Sequence, residues 1–124
     1  MTTRPDRGRV AQARGVVAEQ AACMALEHAG WVVLARRLRT AAGEIDVVAE
    51  RDGLLAFIEV KARPDLLSAA AALGARQRAR LLAAGEIALA ENPEWGRAGV
   101  RFDVLLVDDA GRVRRIADAF RLEG

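Results

Sequence analysis

The chain has 124 residues, 52% of them apolar and 29% charged, with a net charge of +2; this suits one folded domain and excludes two, as well as global disorder. Three Phe, two Trp and no Tyr are too few aromatics for a base-stacking platform of the kind many RNA binders use. No apolar run is long enough to span a membrane, the start MTTRPDRGR lacks the apolar stretch of a signal peptide, and the lone Cys23 has no internal disulfide partner, so a cytoplasmic protein with no membrane partner is expected.

Residues 1–8 read as a flexible basic tail ahead of a single domain over residues 9–124. From Arg9 to Ala29, apolar residues such as Val10, Ala13, Val17, Ala21 and Met24 recur at helical spacing, and Gly30 suits a C-cap. Trp31 to Arg39 reads as a strand. Gly43 to Arg63 reads as two strands around a turn at Asp52-Gly53. Residues 63–74 hold a proline and no clear period, as in a mobile loop with a helical turn. Ala75 to Glu91 is a second helix, and its N-terminal part carries Arg76, Gln77, Arg78 and Arg80. The segment NPEWGRAG is a loop by its turn residues. Two further strands, over 100–108 and 112–120, flank a turn at 109–111. The order α, β, β, β, α, β, β predicts a mixed α/β or α+β domain of at most three layers, built on one sheet.

The stretch GEIDVVAERDGLLAFIEVKAR permits a geometric prediction. An Asp-Gly pair between two strand-like runs favours a type I′ turn, which needs φ > 0 at both central residues. With Asp52 and Gly53 as those residues, Arg51 pairs with Leu54. The same register sets Asp46 opposite Glu59 and Glu44 opposite Lys61. Side chains alternate along a strand, so these four share one face. Ile45, Val47, Ala56, Ile58 and Val60 take the other face, which is the expected core side.

Two carboxylates directly opposite one another are destabilising unless they share a proton or a cation. A hard divalent cation such as Mg²⁺ takes one or two carboxylates and leaves positions for water and phosphate. Lys61, the only lysine among 19 basic side chains, stands one strand step beyond Glu59. The bland alternative is a solvated hairpin face on which Glu44 and Lys61 form a plain cross-strand ion pair. Geometry alone leaves both open. Arg76 and Arg80 near a helix N-terminus, and Arg37 on the preceding strand, are candidate phosphate contacts. One Cys and one His make zinc a poor fit. Asp103 suits a structural role, and His28 a helix end.

The same residues carry a resemblance. GEID…FIEVKAR, together with AEQAACMALEHAGWVVLARRLR, RQRARLLAAGEIALAE, RFDVLLVD and RIADAF, resembles the YraN-like family of small bacterial proteins, from about Arg9 onward. That family is similar to the PD-(D/E)XK nuclease superfamily, near the archaeal Holliday-junction resolvases. The resemblance implies a restriction-endonuclease-like αβββαβ core, with a mixed central sheet flanked by helices. It places Asp46 on the first metal-binding acid, Glu59 on the second, and Lys61 on the lysine of the (D/E)-x-K motif. Glu19 falls where resolvase-like members have a further acidic ligand, and Gln77 near a position that touches water or phosphate.

The departures are Ile45 before Asp46 rather than Pro, Arg37 where Asn is common, Gln77 for the commoner Lys, and an Ala-rich loop over 64–73. The expectation is a Mg²⁺- or Mn²⁺-dependent nuclease acting on DNA, branched or structured DNA included. Glu44 is a supporting residue, and the protein is a monomer or homodimer. The alternative is a nucleic-acid-binding module of the same fold that cuts little.

Overall fold

Five strands form one sheet in a computed structural model that describes residues 7–65 and 74–120. The elements run α1 (Arg7–His28), β1 (Val32–Thr40), β2 (Gly43–Arg51), β3 (Leu54–Ala62), α2 (Ala75–Glu91), β4 (Gly99–Val107) and β5 (Val113–Phe120). The strands lie side by side in chain order. Every neighbouring pair is antiparallel except β3 and β4, which are parallel. The fold is thus a mixed α/β sheet with two helices, compatible with an αβββαβ core. The first helix starts at Arg7, so the expected tail gives up Arg7 and Gly8 to it. The rest of that tail (1–6), and residues 66–73 of the expected 63–74 loop, lie outside the described residues.

Local signals account for the element ends. Gly30, at φ 89°, closes α1 with a Schellman pattern: Trp31 N–H donates to Leu26 C=O at 2.9 Å and Gly30 N–H to Glu27 C=O at 3.0 Å. The β2–β3 turn has φ 52° at Asp52 and 80° at Gly53, the signs that a type I′ turn requires. The register follows from it: Arg51 pairs with Leu54, Ala49 with Ala56, Val48 with Phe57 and Val47 with Ile58.

The hairpin has two buried faces, not the single core face expected. Ala22, Cys23 and Leu26 of α1 pack with Trp31, Val47, Ala49, Ala56, Ile58 and Leu105. On the opposite face, Leu81, Ala84 and Ala88 of α2 pack with Ile45, Val48, Leu55, Phe57 and Phe102. A crossover between parallel strands carries its helix over a sheet face, and the parallel β3–β4 pairing puts α2 over Val48 and Phe57. The approach is close. A Cβ on Gly85 would lie 2.9 Å from Phe102 Cε1 and 3.1 Å from Phe57 Cδ2, so glycine lets the helix rest on these two rings.

Besides the register shift between Val33 and Ala35, alternation breaks in two strands together. Ala35 and Leu38 both pack on the α2 side, as do Ile45 and Val48, although three residues apart on a regular strand means opposite faces. Arg36 still pairs with Val47, and Leu38 with Ile45. Between these pairs stand Arg37, at φ 51°, and Asp46. The left-handed turn of the backbone at Arg37 rotates the remainder of β1, so Ile45 leaves the face predicted for it and joins the second core.

Candidate active site

The β2–β3 ladder ends at Val47 and Ile58. One step further on, Val60 N–H donates to the Asp46 carboxylate (Oδ2) at 2.8 Å. A side-chain oxygen thus serves a donor that a continuing ladder would give to backbone. The strands separate there, and a cavity of about 620 Å³ opens between them and α1. Glu19 of α1, Arg37 of β1, Glu44 and Asp46 of β2, Lys61 of β3 and Arg63 just beyond it all line this space. Gly15 and Ala18 lie beside Glu19 on the helix and also line it. A Cβ at Gly15 would touch nothing within 4 Å.

Glu59 and Lys61 are only 5% and 8% exposed. Lys61 Nζ lies 3.3 Å from Glu59 Oε1, and Arg80 Nη2 lies 3.5 Å from the same oxygen. Arg80 reaches it by crossing Gly43, where a Cβ would stand 2.9 Å from Arg80 Cδ. The other oxygen of Glu59, Oε2, is buried with no hydrogen-bond partner. Such a buried, partnerless carboxylate oxygen is unfavourable unless something binds it. Half-buried Asp46 is pushed up to about 7, first by burial and then by the negative charge of Glu59. The Val60 hydrogen bond and the Lys61 ammonium act against that rise. Asp46 and Glu59 therefore interact strongly, although their residues are not ladder partners.

The remaining expected residues are distributed unevenly. Glu19 lines the cavity, but its Oε2 takes Arg37 Nε at 2.8 Å and Nη2 at 2.7 Å. Arg37 thereby points to a carboxylate of α1, and this bond pushes its guanidinium up from its ordinary value. Among the described residues no group of three His, Cys, Asp or Glu side chains stands close enough to hold a metal ion. The set Asp46, Glu59 and Glu19 is not assembled as three ligands, and Glu59 is not among the residues that line the cavity; Asp46 and Glu59 form a pair through their charges. That pair, with its partnerless oxygen, fits a hard cation that needs one or two carboxylates.

Glu44 is not paired with Lys61. It is an exposed residue facing Arg39, whose Nε lies 3.8 Å away. Arg80, expected to face phosphate, lies on Glu59. Arg76 is exposed, and Gln77 is half-buried with a partnerless Oε1. Sequence reasoning missed Arg63, although it stands two residues past Lys61, where alternation returns to the same side. It extends the β3–β4 ladder through Arg63 N–H to Val107 C=O at 3.1 Å. Asp103 is fully buried and bonded by Arg101 at 3.1 Å and Arg115 at 2.9 Å, which agrees with a structural role.

Residues 18–107 match the uncharacterised protein family UPF0102, a span that includes every site residue above except Gly15. A UPF0102 protein of Granulibacter bethesdensis is 62% identical over 117 residues, 94% of this chain and 74% of that protein. One from Azorhizobium caulinodans is 48% identical over 118 residues, 95% of this chain and 90% of its own length. One from Acidiphilium cryptum is 50% identical over 117 residues, 93% of this chain and 89% of its own.

Proposed function

The chain belongs to the uncharacterised protein family UPF0102, and from the site it carries we propose a divalent-cation-dependent nuclease that hydrolyses phosphodiester bonds of DNA, branched or structured DNA included. The observation that carries this proposal is the Asp46–Glu59 pair: one carboxyl pushed up to about 7, the other with a buried partnerless oxygen, beside a lysine at 3.3 Å. Burial and like charge shift pKa values most often at functional sites, and Asp46 and Lys61 both line the cavity.

Asp46 and Glu59 would hold Mg²⁺ or Mn²⁺. A bound cation of this kind supplies positive charge to the scissile phosphate and acidifies water. Lys61 donates from its ammonium to a water or phosphate oxygen at the cavity, and Glu59 holds that ammonium in place. An arginine would not replace it, because lysine is a compact point charge whose pKa is tunable. Arg63 and the free side of Arg37 attract the phosphate chain into the cavity. No helix among the described residues is long and apolar enough to cross a membrane; a cytoplasmic location goes with a DNA substrate.

One observation favours the second reading, a binding module of the same fold that cuts little. Glu59 Oε1 already faces Lys61 and Arg80, and Glu19 already faces Arg37, so internal cations offset much of the acidic charge. The two readings separate on linear, flapped and four-way-junction DNA with Mg²⁺ or Mn²⁺, beside Asp46→Asn, Glu59→Gln and Lys61→Ala. The nuclease predicts cleavage by the wild type and a loss of about 100-fold or more in each variant. DNA binding in all four proteins with cleavage in none establishes the module. Equal cleavage by all four rejects the site.

A further inference from the structure

Arg37 combines three features that its neighbours do not. Its backbone sits at φ 51°, a region that a long unbranched side chain seldom occupies outside turns. Its guanidinium makes a two-pronged contact with one oxygen of Glu19, at 2.8 and 2.7 Å. The two partners differ in exposure: the Arg37 side chain is 50% exposed and that of Glu19 only 9%. Glu19 is thus a nearly buried carboxylate whose counterion is half in solvent, at the wall of the cavity that Asp46 and Lys61 share.

We propose that Arg37 is an exchangeable counterion of Glu19, and that an entering phosphodiester draws the guanidinium away and releases Glu19 as an additional cation ligand. This rests on the reading of the cavity as a cation and phosphate site. A guanidinium fork suits phosphate at least as well as carboxylate. The exposed side of Arg37 lets a phosphate approach without first breaking the pair. Once Arg37 turns to the phosphate, Glu19 is left buried without its partner, an unfavourable state that a divalent cation relieves. Cation and phosphate therefore bind with positive coupling, which thermodynamics makes reciprocal. The absence of a three-acid cluster among the described residues is then a property of the free protein. The third acid is held back by Arg37.

The test measures Mn²⁺ affinity by calorimetry and by paramagnetic broadening of amide signals, with and without excess dimethyl phosphate, a phosphodiester without bases. In the wild type, dimethyl phosphate tightens Mn²⁺ binding by about 10-fold, in the range of typical coupling between sites. In Arg37→Gly, Mn²⁺ binds about as tightly without the phosphate as the wild type does with it, and the phosphate adds little. Glycine also accepts the backbone angle, and Arg37→Gln, expected to bind Mn²⁺ as Arg37→Gly does, serves as a second check. Glu19→Gln binds Mn²⁺ with no response to the phosphate. Wild-type binding that ignores dimethyl phosphate, or Arg37→Gly binding no tighter than wild type, overturns the exchange and leaves the nuclease reading standing. If Mn²⁺ binds none of these proteins in their folded form, the cation site itself is rejected, and the exchange with it.

Discussion

Asp46 does two jobs at one position. Its carboxylate takes the Val60 N–H at 2.8 Å, and it faces the charge of Glu59, which with burial pushes it up to about 7. In the unfolded chain an Asp titrates near about 4. Between those values the folded protein keeps a proton that the unfolded chain has released. Stability from this group therefore falls as pH rises from about 4 to about 7. Asn retains an oxygen for Val60 and carries no charge, so Asp46→Asn should gain on the wild type as pH rises. After allowance for the half-exposed setting, the gap should widen by about 1–2 kcal/mol between pH 4.5 and pH 8. Urea unfolding of the metal-free proteins at both pH values measures it, and a gap that does not change with pH contradicts the coupling. The charge coupling of Asp46 with Glu59 and Lys61 was legible in the sequence because a two-residue turn sets the register as far as Val47–Ile58; the expected pairings of Asp46 with Glu59 and of Glu44 with Lys61 do not form, because the ladder stops there. The engagement of Glu19 by Arg37 was not legible, since helix and strand side chains meet only through packing and one residue's φ.

At the scale of elements, α2 lies on the hairpin through small residues. Gly85→Ala favours the helix by about 1 kcal/mol, yet its Cβ would stand 2.9 Å from Phe102 Cε1. Overpacking of this kind costs about 1–3 kcal/mol, so the variant should be less stable by urea unfolding, and a gain would mean that the helix has room to move. The β4–β5 connection depends on Asp108, whose side chain accepts from Ala110 N–H at 3.0 Å, Arg112 N–H at 2.8 Å and Arg112 Nε at 2.6 Å. Burial alone would push this carboxyl up, but the Arg112 and Ala110 hydrogen bonds outweigh it and hold it below its ordinary value. Asp108→Ala leaves two turn N–H groups without that partner and should lower stability at neutral pH. The loss should shrink in acid, because a depressed carboxyl contributes above its unfolded pKa and that contribution disappears as pH falls through the folded value. Thermal unfolding at pH 7 and pH 3 checks both halves. The turn residues of this segment were evident from Asp-Ala-Gly at 109–111; the buried acceptor role of Asp108, read as the end of a strand, was not.

For the whole molecule, the sheet has a protected middle and open sides. β3 and β4 are central, and their Phe57, Ile58, Phe102 and Val104 are buried. β1 is an edge strand, with Val32 at 62% exposure, a register shift near Val33 and Ala35, and the break at Arg37. Amides of β3 and β4 should therefore exchange with solvent most slowly, near the global unfolding rate, and those of β1 markedly faster. Hydrogen exchange followed by NMR tests this, and equal protection of β1 and β3 would contradict it. The order of residues was enough to specify the element order, the Asp52-Gly53 turn, the register from Arg51–Leu54 to Val47–Ile58, and the nearness of Asp46 to Glu59 and Lys61. These depend on contacts between residues close in the chain, where local backbone preference and alternation suffice. Long-range packing had to settle that both hairpin faces are buried, that Ile45 changes face, and that Arg37 and Arg80 turn to carboxylates. Those outcomes depend on the parallel pairing of β3 with β4 and on where two helices settle, which is fixed by packing across the whole sheet rather than by any local run of residues.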